Sequence, residues 1–188
     1  MTSVAVAEWF RVAHATGRRL RFEIPRDPAT DPADAGHLAI QELVLRATRS
    51  AGYARFFELP TRSADPARST DVGLRVDRLR LLILIECWNT LRDLGASARA
   101  TDRKLAEAAM LAATLGEGSG YAVRGCWVLR DTAANRTLLA RYPEIFATRF
   151  PGSSLGWLRA LTAGSGPPTE PGLVWCDGRA TRLFARRQ

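Results

Sequence analysis

The run Leu81-Leu82-Ile83-Leu84-Ile85 is wholly apolar and ends directly on Glu86. A short, unbroken apolar run of this kind reads as a buried strand, so its sheet must be covered by other elements. Upstream, Asp71 to Val76 can pair antiparallel with Arg80 to Asn89 around a two-residue turn at Arg78-Leu79. In that register Asp77 faces Arg80 and Asp71 faces Glu86. Opposed side chains on antiparallel strands have Cβ atoms about 4.5–5.5 Å apart, where like charges repel. A divalent cation converts that repulsion into coordination, because hard ions such as Mg²⁺ are held by one or two carboxylates plus waters and phosphates. A turn one residue longer would shift the partner and undo the pairing.

The flanking sequence supplies the cover. Residues 36–50 place Ile40, Leu43, Val44 and Ala47 at helical spacing behind Asp34 as a cap, and Gly52 ends the helix. Residues 53–60 read as a strand and 62–68 as a loop. Leu94, Ala98, Thr101, Leu105, Ala109 and Ala112 mark a long helix ending near Gly116, and Tyr121 to Leu129 a fourth strand. Helices are expected over 133–142, with an Asp131 or Thr132 cap and the Asn135-Arg136 pair at its start, over 143–148 behind Pro143, and over 154–163. A terminal hairpin of Leu173 to Cys176 and Thr181 to Phe184 is expected on an Asp177-Gly178 turn. Ahead of all this stand an amphipathic helix over 4–15 and a strand over 20–24. A Pro- and Asp-rich stretch follows, so residues 1–33 read as an N-terminal segment and 34–188 as the main domain. The order defines an α/β domain with a mixed sheet that begins as an antiparallel meander, is covered by helices and closes on a C-terminal hairpin.

Composition narrows the function classes. With 188 residues, 46% of them hydrophobic, the chain can bury a real core. The formal charge is +8 and the pI about 10.6, which favours a nucleic-acid partner. Of the 27 Lys+Arg only Lys104 is lysine, and that bias, with abundant Ala and Gly, equally reflects a G+C-rich genome. Cys87, Cys126 and Cys176 match neither zinc nor disulfide spacing and read as reduced core residues of a cytoplasmic protein. The apolar runs are too short to span a bilayer, so no membrane partner is expected. No Walker loop, dinucleotide turn or zinc-finger spacing occurs. His14 and His37, the only histidines, read as structural, and Trp127, Trp157 and Trp175 as core.

Three phrases then carry a resemblance: Ser69-Thr70-Asp71-Val72, Leu82-Ile83-Leu84-Ile85-Glu86-Cys87-Trp88, and Asp102-Arg103-Lys104 inside the next helix. Together with the order helix, three-stranded meander, helix, strand, they resemble the PD-(D/E)XK nuclease superfamily, the restriction-endonuclease-like fold. In particular they look like the nuclease-like C-terminal region of actinobacterial helix-turn-helix regulators, over roughly residues 36 to 130 or on to the C-terminus. The resemblance implies Mg²⁺ held by Asp71 and Glu86 with the Cys87 carbonyl as third ligand, and Glu42 on the preceding helix as a helper. It also implies DNA as partner, metal-dependent phosphodiester hydrolysis as the activity, and a homodimer or a regulator subunit as the assembly. Related regulators are expected to carry an N-terminal helix-turn-helix, whereas about thirty residues precede the first helix of the domain here.

The superfamily's lysine stands two residues after the glutamate, and here that position is Trp88, which could stack on a base or fill the core, so the expected function is either a weak Mg²⁺-dependent nuclease or a catalytically impaired relative of one. Lys104 can compensate. Ten residues of helix retreat about 15 Å, a distance a strand covers in four or five residues, so Lys104 is expected level with Ile85 or Glu86. The other reading of Lys104 is a surface charge paired with Glu107 or Asp102. Arg75, Arg92, Arg99 and Arg103, with Trp88, are the expected nucleic-acid contacts. The competing class is a non-enzymatic regulatory or partner-binding module that keeps the fold.

Overall fold

The computed structural model of the chain describes residues 32–62, 65, 68–114 and 120–185, together with residue 15. His14, the strand expected over 20–24 and, but for Ala15, the helix expected over 4–15 lie outside the described residues. Residues from Pro32 onward belong to one compact unit.

The first helix, α1 (Pro32–Ala47), starts earlier than Asp34 would place it. Pro32 occupies its beginning, where a missing N–H costs nothing and the fixed φ suits the helix. Asp34 is therefore inside the helix rather than its cap. A single 3-10 turn over Arg49–Ala51 follows and stops at Gly52, whose φ of 71° only glycine adopts freely. The meander is β1 (Ala54–Pro60), β2 (Ser69–Val76) and β3 (Leu81–Trp88), then α2 (Leu94–Thr114), β4 (Ala122–Arg130), α3 (Ala133–Arg141), α4 (Pro143–Arg149), α5 (Ser154–Ala163), β5 (Gly172–Cys176) and β6 (Leu183–Phe184). Thr132 caps α3 by accepting from the Asn135 N–H, and Ser153 caps α5 in the same way.

The six strands form one mixed sheet in chain order. β1, β2 and β3 run antiparallel, β3–β4 and β4–β5 are parallel, and β5–β6 close the sheet antiparallel. The β2–β3 register is the one counted from the sequence, running from Val76↔Leu81 to Val72↔Ile85. Its turn is closed by the Arg80 N–H on the Asp77 carbonyl.

Period-two alternation divides the side chains between two helical layers. Val72, Leu74, Ile83, Ile85, Cys87, Cys126, Val128 and Val174 pack against Ile40, Leu43 and Val44 of α1 and against Trp157 and Leu161 of α5. On the other face Leu82 and Leu84 meet Ala108 and Ala112 of α2. Trp127, Leu129, Leu173 and Trp175 meet Phe146 and Phe150. β3 is thus covered on both sides, which is why it reads as an apolar run without alternation.

The terminal hairpin forms, but not on a two-residue turn. Residues 177–182 connect the strands. Asp177 organises this loop by accepting the N–H groups of Thr181 and Arg182 and the Thr181 hydroxyl. Those bonds hold its carboxyl down at about 2.

Candidate functional site at the splayed end of the meander

The β2–β3 ladder stops one rung short of Asp71 and Glu86. Beyond Val72↔Ile85 the Cys87 N–H donates not to a backbone carbonyl but to Asp71 Oδ2, at 2.6 Å. On the other side of β2 the rungs Phe57↔Val72 and Leu59↔Thr70 bracket Asp71 without one at Asp71 itself. The residue across that gap, Glu58, has φ of 48°, a left-handed conformation that costs a non-glycine residue about 1 kcal/mol or more. Asp71 therefore sits where the sheet opens, its carboxylate replacing a ladder bond.

Glu86 lies on the other side of the opening and is 4% exposed. Lys104 Nζ stands 2.7 Å from Glu86 Oε2. The Thr70 hydroxyl is 2.9 Å from Glu86 Oε1 and 3.0 Å from the Ile85 carbonyl. One hydroxyl proton thus serves two acceptors. Glu86 neighbours Trp127 across the β3–β4 rung. Burial, and secondarily the charge of Asp71, push the Glu86 carboxyl above its usual range, while Lys104 and Thr70 pull it back.

The helical retreat along β3 places Lys104 as counted. Both surface partners that it could have taken are occupied: Glu107 by Arg68 and Thr61, and Asp102 by Arg149. The side chain of Lys104 is 23% exposed.

Other expected residues fall differently. Glu42 is exposed on α1, facing away from the sheet, and takes no part in the cluster. Its neighbour Gln41 is buried instead, and Gln41 Oε1 has no hydrogen-bond partner among the described residues. Trp88 packs against Trp127 with ring centroids 5.1 Å apart and is half-buried, filling the aromatic layer. Arg75 lies four residues along β2 from Asp71, about 13 Å at strand rise, and binds Asp77 at 2.8 Å near the hairpin turn. Arg92, Arg99 and Arg103 are exposed, the first just after β3 and the others beside Lys104 on α2.

His37 is the residue that sequence reasoning missed. Its Nε2 lies 3.4 Å from Asp71 Oδ1. The signal available was helical spacing: His37, Gln41 and Val44 form one stripe of α1, and all but His37 are buried. The start of α1 is pinned by Gly36, where a Cβ would come within 2.5 Å of Asn89 Nδ2 and 3.0 Å of an Arg130 nitrogen.

Among the described residues no three His, Cys, Asp or Glu side chains are grouped closely enough to hold a metal ion. Nor is any helix among them long and apolar enough to cross a membrane. A cavity of about 340 Å³ lies elsewhere, between α3, α4 and β5, lined by Leu139, Pro143, Phe146, Phe150 and Trp175 and by none of the cluster residues.

Fold and site define an α/β domain with a buried Glu86–Lys104 pair, and Asp71 on the neighbouring strand, at the end of the β2–β3 ladder. Comparison with known protein families, with curated proteins and with solved structures finds no match for the chain.

Proposed function

We propose that this is a nucleic-acid-processing domain of the restriction-endonuclease-like kind, acting on phosphodiesters with a divalent cation. The observation that carries the reading is the ammonium of the chain's only lysine, seated 2.7 Å from the buried Glu86, one rung beyond the end of the β2–β3 ladder. Lys104 reaches Glu86 from α2 rather than from the strand, where Trp88 stands.

Each residue has a role in that chemistry. Asp71 and Glu86 are the oxygen donors that a hard ion such as Mg²⁺ takes, with the Cys87 carbonyl as a further donor. When bound, such an ion lowers the pKa of water and offsets charge on the phosphate. Lys104 has three N–H donors, of which Glu86 uses one, leaving two for a phosphate oxygen. Thr70 orients Glu86, and Arg92, Arg99 and Arg103 offer exposed charge to the DNA backbone. Three buried thiols agree with a cytoplasmic setting.

The test is cleavage of plasmid and single-stranded DNA by the full chain with Mg²⁺ or Mn²⁺. EDTA should abolish cleavage, and so should the Asp71→Asn/Glu86→Gln pair. Lys104→Met should lower the rate by about 10²–10³-fold, the usual loss when one charge-stabilising donor is removed. Cleavage that survives in EDTA or in the double variant refutes the proposal.

One observation favours a second reading, a non-enzymatic regulatory module that binds DNA, a second copy or a regulator subunit. Both Glu86 oxygens are engaged within the protein, as in a purely structural ion pair. Carboxylate-independent DNA binding without cleavage would select it.

A further inference from the structure

We infer that the cleft between α3, α4 and β5 is a ligand site for a flat aromatic cation. It shares no residue with the Asp71, Glu86 and Lys104 cluster, so it stands or falls separately from the proposed function.

The first argument is that the cleft is preformed. Its volume of about 340 Å³ lies within the roughly 300–1,000 Å³ of small-molecule sites. The helices that wall it are tied down from outside. Asn135 of α3 is buried, accepts the Leu91 N–H and donates to the Asn89 and Arg130 carbonyls. At the end of α4, Arg149 donates to Asp102 and to the Ala98 carbonyl, and just beyond it the Gly152 N–H donates to the Pro171 carbonyl. The walls do not close on the space without breaking those bonds.

The second is the chemistry of the floor. Phe146, Phe150, Leu173 and Trp175 line it, each less than a tenth exposed. The two phenyl rings stand with centroids 6.2 Å apart and 25° between their planes. The Ser154 hydroxyl proton is already spent on the Leu173 carbonyl at 2.7 Å. Water on such a floor finds few partners, whereas a flat ring gains burial and stacking.

The third is charge. Arg136 and Glu144 both line the cleft, but they are not equivalent. Arg136 Nη1 lies 2.8 Å from Asp131 Oδ1, so its charge is compensated within the protein. Glu144 has no hydrogen bond or ion pair among the described residues. A carboxylate beside an aromatic floor is complementary to a cation, which aromatic rings also attract. An anion would meet Glu144 and a guanidinium already in use.

Fluorescence titration of the full chain, freed of nucleic acid, tests this with two dyes. Berberine is a planar aromatic cation and anilinonaphthalene sulfonate an aromatic anion, and both brighten on leaving water. Berberine should saturate at a single site and bind at least about fivefold more tightly than the anion, the ratio that one exposed charge pair supplies in water. Glu144→Gln should weaken berberine by about fivefold and leave the anion unchanged or tighter. Ala140→Trp and Ala147→Trp, both at exposed cleft positions where a larger side chain needs no repacking of the core, should abolish binding of either dye. Ile145→Ser removes an exposed apolar side chain outside the cleft lining and should change neither. Circular dichroism establishes that each variant is folded. Berberine binding that survives both tryptophan variants, or that falls as far in Ile145→Ser, means adventitious adsorption and overturns the inference. So does a preference for the anion, or a berberine affinity indifferent to Glu144→Gln.

Discussion

Replacing Lys104 by Met keeps an unbranched side chain one atom shorter and removes its charge, leaving Glu86 4% exposed with only the Thr70 hydroxyl as partner. Stranding one member of a buried ion pair typically costs about 3–5 kcal/mol. Here a ceiling applies, because Glu86 can take up a proton, and a protonated Glu86 can donate to Thr70 while Thr70 donates to the Ile85 carbonyl. From the ordinary carboxyl value of 4.5, holding that proton at pH 7 costs about 1.36 kcal/mol per unit, or roughly 3.4 kcal/mol. The sign follows from linkage: in the variant the folded state binds a proton that the unfolded state has released, so stability falls as pH rises above 4.5. The penalty should therefore be about 3 kcal/mol at pH 7 and under about 1 kcal/mol at pH 5. Urea unfolding from pH 5 to 8 measures it, for the parent, Lys104→Met, Glu86→Gln and the double variant. The double variant should regain most of the loss at pH 7. A loss that is small and flat with pH, or a double variant no better than Lys104→Met, would refute the buried-pair reasoning.

Two further outcomes follow from packing. Gly172→Ala should fail to fold or lose at least about 3 kcal/mol, because its Cβ would lie 1.9 Å from Trp157 Cδ1, a ring that is 0% exposed and cannot move aside; thermal unfolding or soluble yield will show it. All three thiols are buried, and burial raises those of Cys87 and Cys126 most strongly. An aromatic disulfide reagent should therefore find no reactive thiol in the native protein and three after denaturation, and rapid native reaction would contradict the core assignment.

Much of the architecture was legible because it rests on local patterns. The β2–β3 register followed from the position of a tight turn and a two-residue period, and α5 spans the residues expected as a helix. Lys104 could be levelled with Glu86 because helix and strand rises are constants. Asp177-Gly178 misled: the favoured dipeptide stands there, but the bonds Asp177 makes to Thr181 and Arg182 stabilise a wider loop. Glu42 misled in a similar way, since helical spacing defines a stripe but not which edge of it meets the sheet. The structure turns Gln41 inward and Glu42 out.

What the chain determined by itself was the set of elements, their order and the rung on which two acids approach, all consequences of backbone period and apolar spacing. Only the tertiary structure decided that the sheet opens at Asp71, that Lys104 abandons Asp102 and Glu107 for Glu86, and that His37 meets Asp71. Those choices depend on competition among partners distant in sequence. Arg68 and Arg149 claim the surface acids, and packing of α1 on Asn89 and Arg130 sets where an imidazole can reach. No local pattern encodes the winner, because each pairing is settled by the free energies of groups that meet only after the layers have closed.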